Sequence, residues 1–279
     1  MSIALSSAYV AQFDAEVKQA YQGMMMLKGT VRTRTGVIGS THRFPKIGRG
    51  VASLRINQSD VTPLNVTYDQ VTATLQDWNA SEYSDIFMQQ KVNFDERREL
   101  VQVVANAIGR RYDQLIIDAM DASASPEVVT NDTGGTDSNL NVAKLREAAR
   151  KLTANNVPAD NRHILIHANN LEALLGETQV TSSDFNTIKA LVMGEINTFM
   201  GFRFHVIGTR DEGGLPLATN DRTCFAWHMS AVGMAEGISP RTTIDWIPEK
   251  RSFLVSADFS AGAVTIDDEA VVEIICREA

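Results

Sequence analysis

The sequence predicts an α+β fold for a chain of 279 residues. Three observations carry this: one apolar stripe long enough for a strut-like helix, short alternating strands gathered mainly in the C-terminal half, and helices interspersed without a regular strand-helix repeat. With 44% hydrophobic and 22% charged residues the composition is that of a globular chain, which excludes disorder, collagen and coiled coil. No window approaches the roughly 18 apolar residues of a membrane span. Met1 to Val10 mixes polar and apolar residues without a basic segment ahead of an apolar core, so neither a span nor a secretion signal is expected.

Taken in order, Phe13, Val17, Ala20 and Tyr21 recur at helical spacing over Ala11 to Gln22, and Gly23 stops the run. Residues 29–50 are rich in glycine and basic side chains and poor in large apolar ones, so this part is expected not to fold alone. Ala52, Leu54 and Ile56 then alternate with Ser53, Arg55 and Asn57. Leu64, Val66 and Tyr68 alternate in the same way, and Asn57 to Pro63 supplies a turn. The expectation is a long polar hairpin, marginal without a partner.

The strongest element runs from Asn93 to about Asp121. Asn93 with Glu96 three residues on resembles a capping box, and Val101, Val104, Ile108, Tyr112, Leu115 and Ala119 form the apolar stripe. A loop follows over Asn131 to Asn141, then a helix from Val142 to Asn155, a strand from His163 to His167 and a short helix from Asn170 to Leu175. Strands are expected at Phe202 to Ile207, Cys224 to Trp227, Thr243 to Ile247, Phe253 to Ser256, Ala263 to Ile266 and Val271 to Cys276.

Catalytic signatures are missing. No glycine-rich loop ends in Lys-Ser or Lys-Thr, Gly48-Arg49-Gly50 lacks the third glycine of a dinucleotide site, and no Gly-x-Ser-x-Gly elbow occurs. His163 and His167 share one face of a strand with no carboxylate beside them, which favours hydrogen-bonded structural residues over metal ligands. The turn Asp267, Asp268, Glu269 joins two strands, a sufficient reason for its composition. Cys224 and Cys276 fit neither a disulfide framework nor a metal pair and read as free structural thiols. No catalytic residue, cofactor or metal is assigned.

Charge is the one asymmetry. The net charge is −8, yet residues 1–60 carry eight basic residues against three acids, so that segment is +5 and the remainder −13. A basic part on an acidic body points to nucleic acid or to the acidic part of another copy. Only Phe44 offers an aromatic ring among residues 23–57, too few for base stacking, so sequence-specific recognition is not expected. The candidate assembly residues are Arg32, Arg34, Arg43, Lys46, Arg49 and Arg55.

The order of parts, with Val71 to Asp77 leading through Glu82 to Asp85 into Asn93 to Arg98, then Ala107 to Asp113, Gly194 to Ile196, Gly201 to Phe204, Gly262 to Asp267 and Val271 to Ile274, resembles the major capsid protein of a tailed bacteriophage with the Hong Kong 97-type fold. The resemblance implies an N-terminal arm (1–35), an extended loop (36–76), a peripheral domain with its spine helix (77–141), an axial domain (142–236) and return strands of the peripheral domain (237–279). It also implies self-assembly through hexamers and pentamers into a shell around double-stranded DNA, made in the host cytoplasm. The implied partners are a separate scaffolding protein, a portal and packaged DNA touched without specificity, and no membrane. Lys46 is the only lysine on the loop, but no partner pair for crosslinking is identified. An encapsulin-like shell around cargo, and more remotely a metal-dependent hydrolase, remain as alternatives.

Overall fold

The computed structural model describes residues 23–58, 60–91, 95–177, 198–210 and 212–278. The helix expected over Ala11 to Gln22 lies outside them. The described residues form three sheets. Strands β1 (Arg32–Thr35), β4 (Gln76–Asp85), β11 (Val232–Ile247) and β12 (Ser252–Thr265) build a four-stranded sheet in the order β1-β11-β12-β4. A seven-stranded sheet runs β5-β13-β10-β6-β8-β7, where β5 is Glu127–Val129, β6 Arg162–His167, β7 Thr198–Phe199, β8 Phe202–Ile207, β10 Asp221–His228 and β13 Val271–Arg277. The short β9 (Leu217–Ala218) pairs with β10. The third is a hairpin of β2 (Thr41–Ile47) and β3 (Tyr68–Thr74). The helices are α1 (Ile86–Gln89), α2 (Glu96–Asp121), α3 (Val142–Ala154) and α4 (Ala168–Gly176).

Helix α2, of 26 residues and so about 39 Å long, forms because its apolar residues recur with the helical period. Its buried set, Val104, Ile108, Tyr112, Ile116, Ile117 and Met120, is wider than a single stripe, and it includes Gly109 and Asp113. The breadth has a cause. One flank packs on β12, β11 and β4, with the Tyr112 and Phe259 rings 6.3 Å apart. Another flank receives the N-terminal segment. A Cβ on Gly109 would sit 3.1 Å from the Met25 backbone nitrogen, so glycine lets that chain lie against the helix. The helix described here begins at Glu96 with Asp95 at the N-cap, and the Asp95 side chain makes no capping bond. Asn93, the expected cap, lies outside the described residues, and Glu96 instead accepts a hydrogen bond from Ser84 Oγ (2.8 Å).

Leu27 and Val31 are fully buried and join α2 to the seven-stranded sheet in one apolar cluster. Val31 in the glycine-rich stretch and Leu27 just before it thus belong to the core, by packing on the body. Burying each such side chain contributes about 1.5–3 kcal/mol.

The hairpin also differs from expectation. The alternating runs at 52–56 and 64–68 do not pair. The ladder takes in only the end of the second run, from Thr41 opposite Thr74 to Ile47 opposite Tyr68, and Gly48 N–H extends it to Thr67 O (2.8 Å). Phe44, 1% exposed, explains why. It packs with Ala73, Ala235 and Ile266 over Gly233, where a Cβ would come within 2.8 Å of its ring. The segments beyond Ile47 have alternation without a surface to bury it on, and Leu54 is 94% exposed. Farther on, the two strands expected at 253–256 and 263–266 are one strand, β12, and 243–247 is only the end of the 16-residue β11. Residues 237–279 are divided between the sheets, since β13 stands in the seven-stranded one beside β10.

The base of the hairpin should therefore belong to the subunit fold and its tip should not. Replacing residues 48–67 with a short Gly-Ser linker should leave a cooperative unfolding transition of nearly unchanged midpoint in urea. Phe44→Ala should cost about 3 kcal/mol by the same measurement.

Candidate assembly surface

The six candidate basic residues surround the hairpin. On β1, Arg32 lies opposite Gly233 and Arg34 opposite Ala235, on the face that carries Phe44, and the Arg32 guanidinium is 5.9 Å from the Phe44 ring centroid. Arg43 stands opposite Thr72. Lys46 Nζ bonds Asp267 Oδ1 at 2.8 Å, and Arg49 pairs with Glu269. Asp268 accepts from Ser123 Oγ at 2.6 Å. The acidic turn is thus occupied by the chain's own Lys46 and Arg49 and by Ser123 just past α2, so these two basic residues meet an acidic part of their own chain rather than of another copy. Among the described residues Arg34, Arg43 and Arg55 have no ion pair.

Among the described residues between Gly48 and Thr67 there is no strand, and Val51, Leu54 and Val61 are 86%, 94% and 80% exposed. Exposed apolar side chains gathered in one loop mark an interaction surface.

The buried polar groups that tie residues 26–30 and the helices to the sheets carry no motif in the sequence. Asp113 on α2, 1% exposed, accepts from Met26 N–H (3.0 Å), Leu27 N–H (3.0 Å) and Arg210 Nη1 (3.2 Å). Burial raises its pKa, while those donors favour the carboxylate. Tyr112 OH donates to Glu236 Oε1 at 2.8 Å, and burial together with that carboxylate pushes the phenol far up, so it remains a donor. Trp227 Nε1 donates to Thr30 O at 3.0 Å. Lys144 is fully buried and donates to Ser138 O (2.6 Å) and Ile275 O (2.8 Å). One signal was legible: Asp113 is an acid inside an apolar stripe, and such a residue needs a partner.

The remaining titratable groups are structural. His163 Nδ1 and His205 Nε2 lie 3.0 Å apart, and both rings stack near Trp227. Burial, with His205, Arg203 and His228 nearby, lowers the His163 pKa to about 4. His167 caps α4, its Nδ1 accepting from Asn169 N–H at 3.3 Å and its Nε2 facing Thr209 Oγ1 at 3.2 Å. His163 and His167 therefore do not converge on a ligand. No cluster of three or more metal-ligating side chains occurs among the described residues. Cys224 and Cys276 are free and buried, and their mutual hydrogen bond, with burial, holds the Cys224 thiol protonated. Among the described residues no helix is long and apolar enough to cross a membrane.

A family model described as phage capsid protein matches residues 5–278. The chain belongs to the phage capsid protein family. It is a structural protein of the phage head shell, the major capsid protein, and not an enzyme. The capsid of cyanophage P-SCSP1u is similar over 100% of this chain and 96% of its own, with a TM-score of 0.77 at 14% identity. The head structure of Helicobacter pylori bacteriophage KHP40 gives 0.78 at 13% identity over 99% and 98% of the two chains. Mycobacterium phage Che8 gives 0.71 at 15% identity over 96% and 97%. These likenesses establish the α+β fold as the Hong Kong 97-type capsid fold. No curated protein matches.

The histidine pair should make the capsid subunit acid-sensitive in a defined window. The folded pKa of His163, about 4, lies below the unfolded value of 6.5, so the unfolded chain takes up the proton first. Stability should fall as pH drops from 6.5 toward 4, by on the order of 2 kcal/mol, and level off below. Urea midpoints of the wild type and of His163→Gln with His205→Gln, compared at pH 7 and pH 5, should show a smaller pH effect in the variant.

Proposed function

We propose that copies of this chain assemble as hexamers and pentamers into a closed icosahedral shell around double-stranded DNA, in the cytoplasm of the host. The observation that carries this reading is the loop of residues 48–67, in which Val51, Leu54 and Val61 are 86%, 94% and 80% exposed. A protein of this fold can bury them only against another copy. In this reading residues 1–35 form an arm, 36–76 the extended loop, 77–141 the peripheral domain around α2, 142–236 the axial domain, and 237–279 return to the periphery. Arg32, Arg34, Arg43, Lys46, Arg49 and Arg55 serve assembly in two ways. Lys46 and Arg49 fix the root of the loop on Asp267 and Glu269, and the others offer positive charge to the acidic body of a neighbour, which guides register more than it adds affinity. Interfaces of perhaps 2,000 Å² or more, typical of permanent assemblies, would resist the pressure of packaged DNA. A scaffolding protein and a portal are the expected partners, and contact with DNA is non-specific.

Electron micrographs of the purified protein, with the nucleic acid of particles from infected cells, test the reading. Closed shells that hold DNA in the virion support it, whereas shells around a protein cargo would favour an encapsulin-like role. Changing Arg34, Arg43 and Arg55 together to Gln should slow assembly, measured by light scattering, at low salt. The gap to wild type should narrow at 1 M salt, where screening acts over about 3 Å.

A further inference from the structure

We propose that a backbone phosphate of the enclosed DNA binds on the seven-stranded sheet between Arg203 and the free ring nitrogen of His205, and that His205 takes up a proton as it binds. The inference rests on the shell reading above and gives its DNA contact a place and a pH dependence.

Strand β8 lies beside β6 with Arg203 opposite His163 and His205 opposite Leu165, so Arg203, His205 and His163 share one face. Trp227, opposite His163 on β10, floors the cluster. Its ring stacks with His163 at 5.8 Å and with His205 at 6.5 Å between centroids. His163 is 4% exposed, and its Nδ1 meets His205 Nε2 at 3.0 Å. That contact uses one nitrogen of each ring. His205 is half-buried, and its Nδ1 has no hydrogen bond among the described residues. Arg203, two residues earlier on the same face, is exposed and pairs with no described acid, whereas Arg111, Arg210, Arg222 and Arg277 each meet one.

Positive charge here is unrelieved. Burial, then His205, Arg203 and His228, lower the His163 pKa, and burial with Arg203 lowers that of His205; no carboxylate offsets either shift. On the elements packed against the pair the charged side chains are Arg203 on β8, His228 at the end of β10, and Arg162 on β6, which bonds the Pro158 and Val157 carbonyls. His228 also borders a groove of about 360 Å³ with Arg32, Ser230 and Asp160, the one acid of its described lining. An anion is what such a cluster lacks. A metal ion suits the two ring nitrogens less well, because no third ligand joins them among the described residues and Arg203 repels a cation.

A phosphodiester keeps one negative charge near neutrality and accepts hydrogen bonds from a guanidinium fork and from an imidazolium. Its charge favours the protonated ring, so His205 gains a proton on Nδ1 while Nε2–H goes on donating to His163 Nδ1. His163 stays neutral. DNA suits the site better than an acidic segment of a neighbour. Among the described residues no large hydrophobic side chain between Gln89 and Pro216 is exposed, so this face lacks the apolar centre of a protein interface.

The test measures binding of a short DNA duplex of mixed sequence to dispersed subunits, by fluorescence anisotropy at about pH 6 and pH 7.5. Wild type should bind at least about threefold tighter at the lower pH, and His205→Gln should lose most of that gain. Arg203→Gln should weaken binding about fivefold at both pH values and lower the salt slope by about 1, while Arg241→Gln on β11 stays near wild type. Where a variant fails to fold, the wild type decides: its His205 ring pKa, followed by NMR, should rise by at least about half a unit when duplex saturates the subunit. Affinity independent of pH, equal losses in the two arginine variants, or an unmoved His205 pKa overturns the inference. So does a His205 pKa that rises as far in shells assembled without DNA, which would make a neighbour's acid the occupant, or a stoichiometric zinc ion on the histidine pair. Each of these failures leaves the shell reading in place. Particles that hold no DNA would instead overturn the shell reading, while binding to dispersed subunits still decides whether the phosphate site exists.

Discussion

Everything in this subunit depends on a carboxylate buried in the flank of its longest helix. Asp113 is 1% exposed, and a charge in that position is tolerable only because Met26 N–H, Leu27 N–H and Arg210 converge on it. Gly109, one turn earlier, removes the side chain that would keep the backbone of Met25 away. Together they define a seat for the N-terminal segment, and that segment then places Leu27 and Val31 in the core and Thr30 against Trp227. Removing one partner of such a cluster leaves a buried charge uncompensated, so the helix, the segment and the seven-stranded sheet stand or fall together.

The same packing decides what stays uncovered. The apolar packing of the hairpin on the sheets runs through Phe44 and its small cluster. Past Ile47 the chain has apolar alternation but nowhere to place it. In a monomer this would be a liability. In the proposed shell it would be the means by which one subunit is completed by the next. The ion pairs at the root of the loop cost little to break singly, being exposed, but they set its direction.

Much of the fold was legible because the period of apolar residues is imposed by burial. Helix α2, helix α3 and strands β6, β8 and β13 fall where alternation or helical spacing put them. The misreadings share a physical origin. Residues 52–56 alternate more cleanly than 41–47, yet alternation marks a strand only where something covers it, and the cover for Phe44 comes from Ala235 and Ile266, about 190 and 220 residues away in the chain. Ser260, Ala261 and Gly262 interrupt the apolar pattern of β12, which hid its continuity; small residues suffice there because neighbouring chain approaches closely. Gly237 and Pro240 hid the length of β11 in the same manner. Of the assembly surface, the basic residues were visible. Pairing of Lys46 and Arg49 within the chain was not, since it follows from the fold. Asp113 was visible as an anomaly without a partner.

The central claim is that this subunit folds without its loop and that a neighbour completes the loop. Limited trypsin digestion tests it most directly, because Arg49 and Arg55 lie in a loop that forms no strand, whereas Arg146, Arg150, Arg203 and Arg241, though exposed, are held within helices or strands. Dispersed subunits should be cut first after Arg55, leaving two fragments that stay associated and keep the cooperative unfolding of the intact chain, and closed particles should resist the same cut at least tenfold longer. Equal cleavage after Arg55 in subunits and in particles would contradict the account, as would a cut subunit that unfolds.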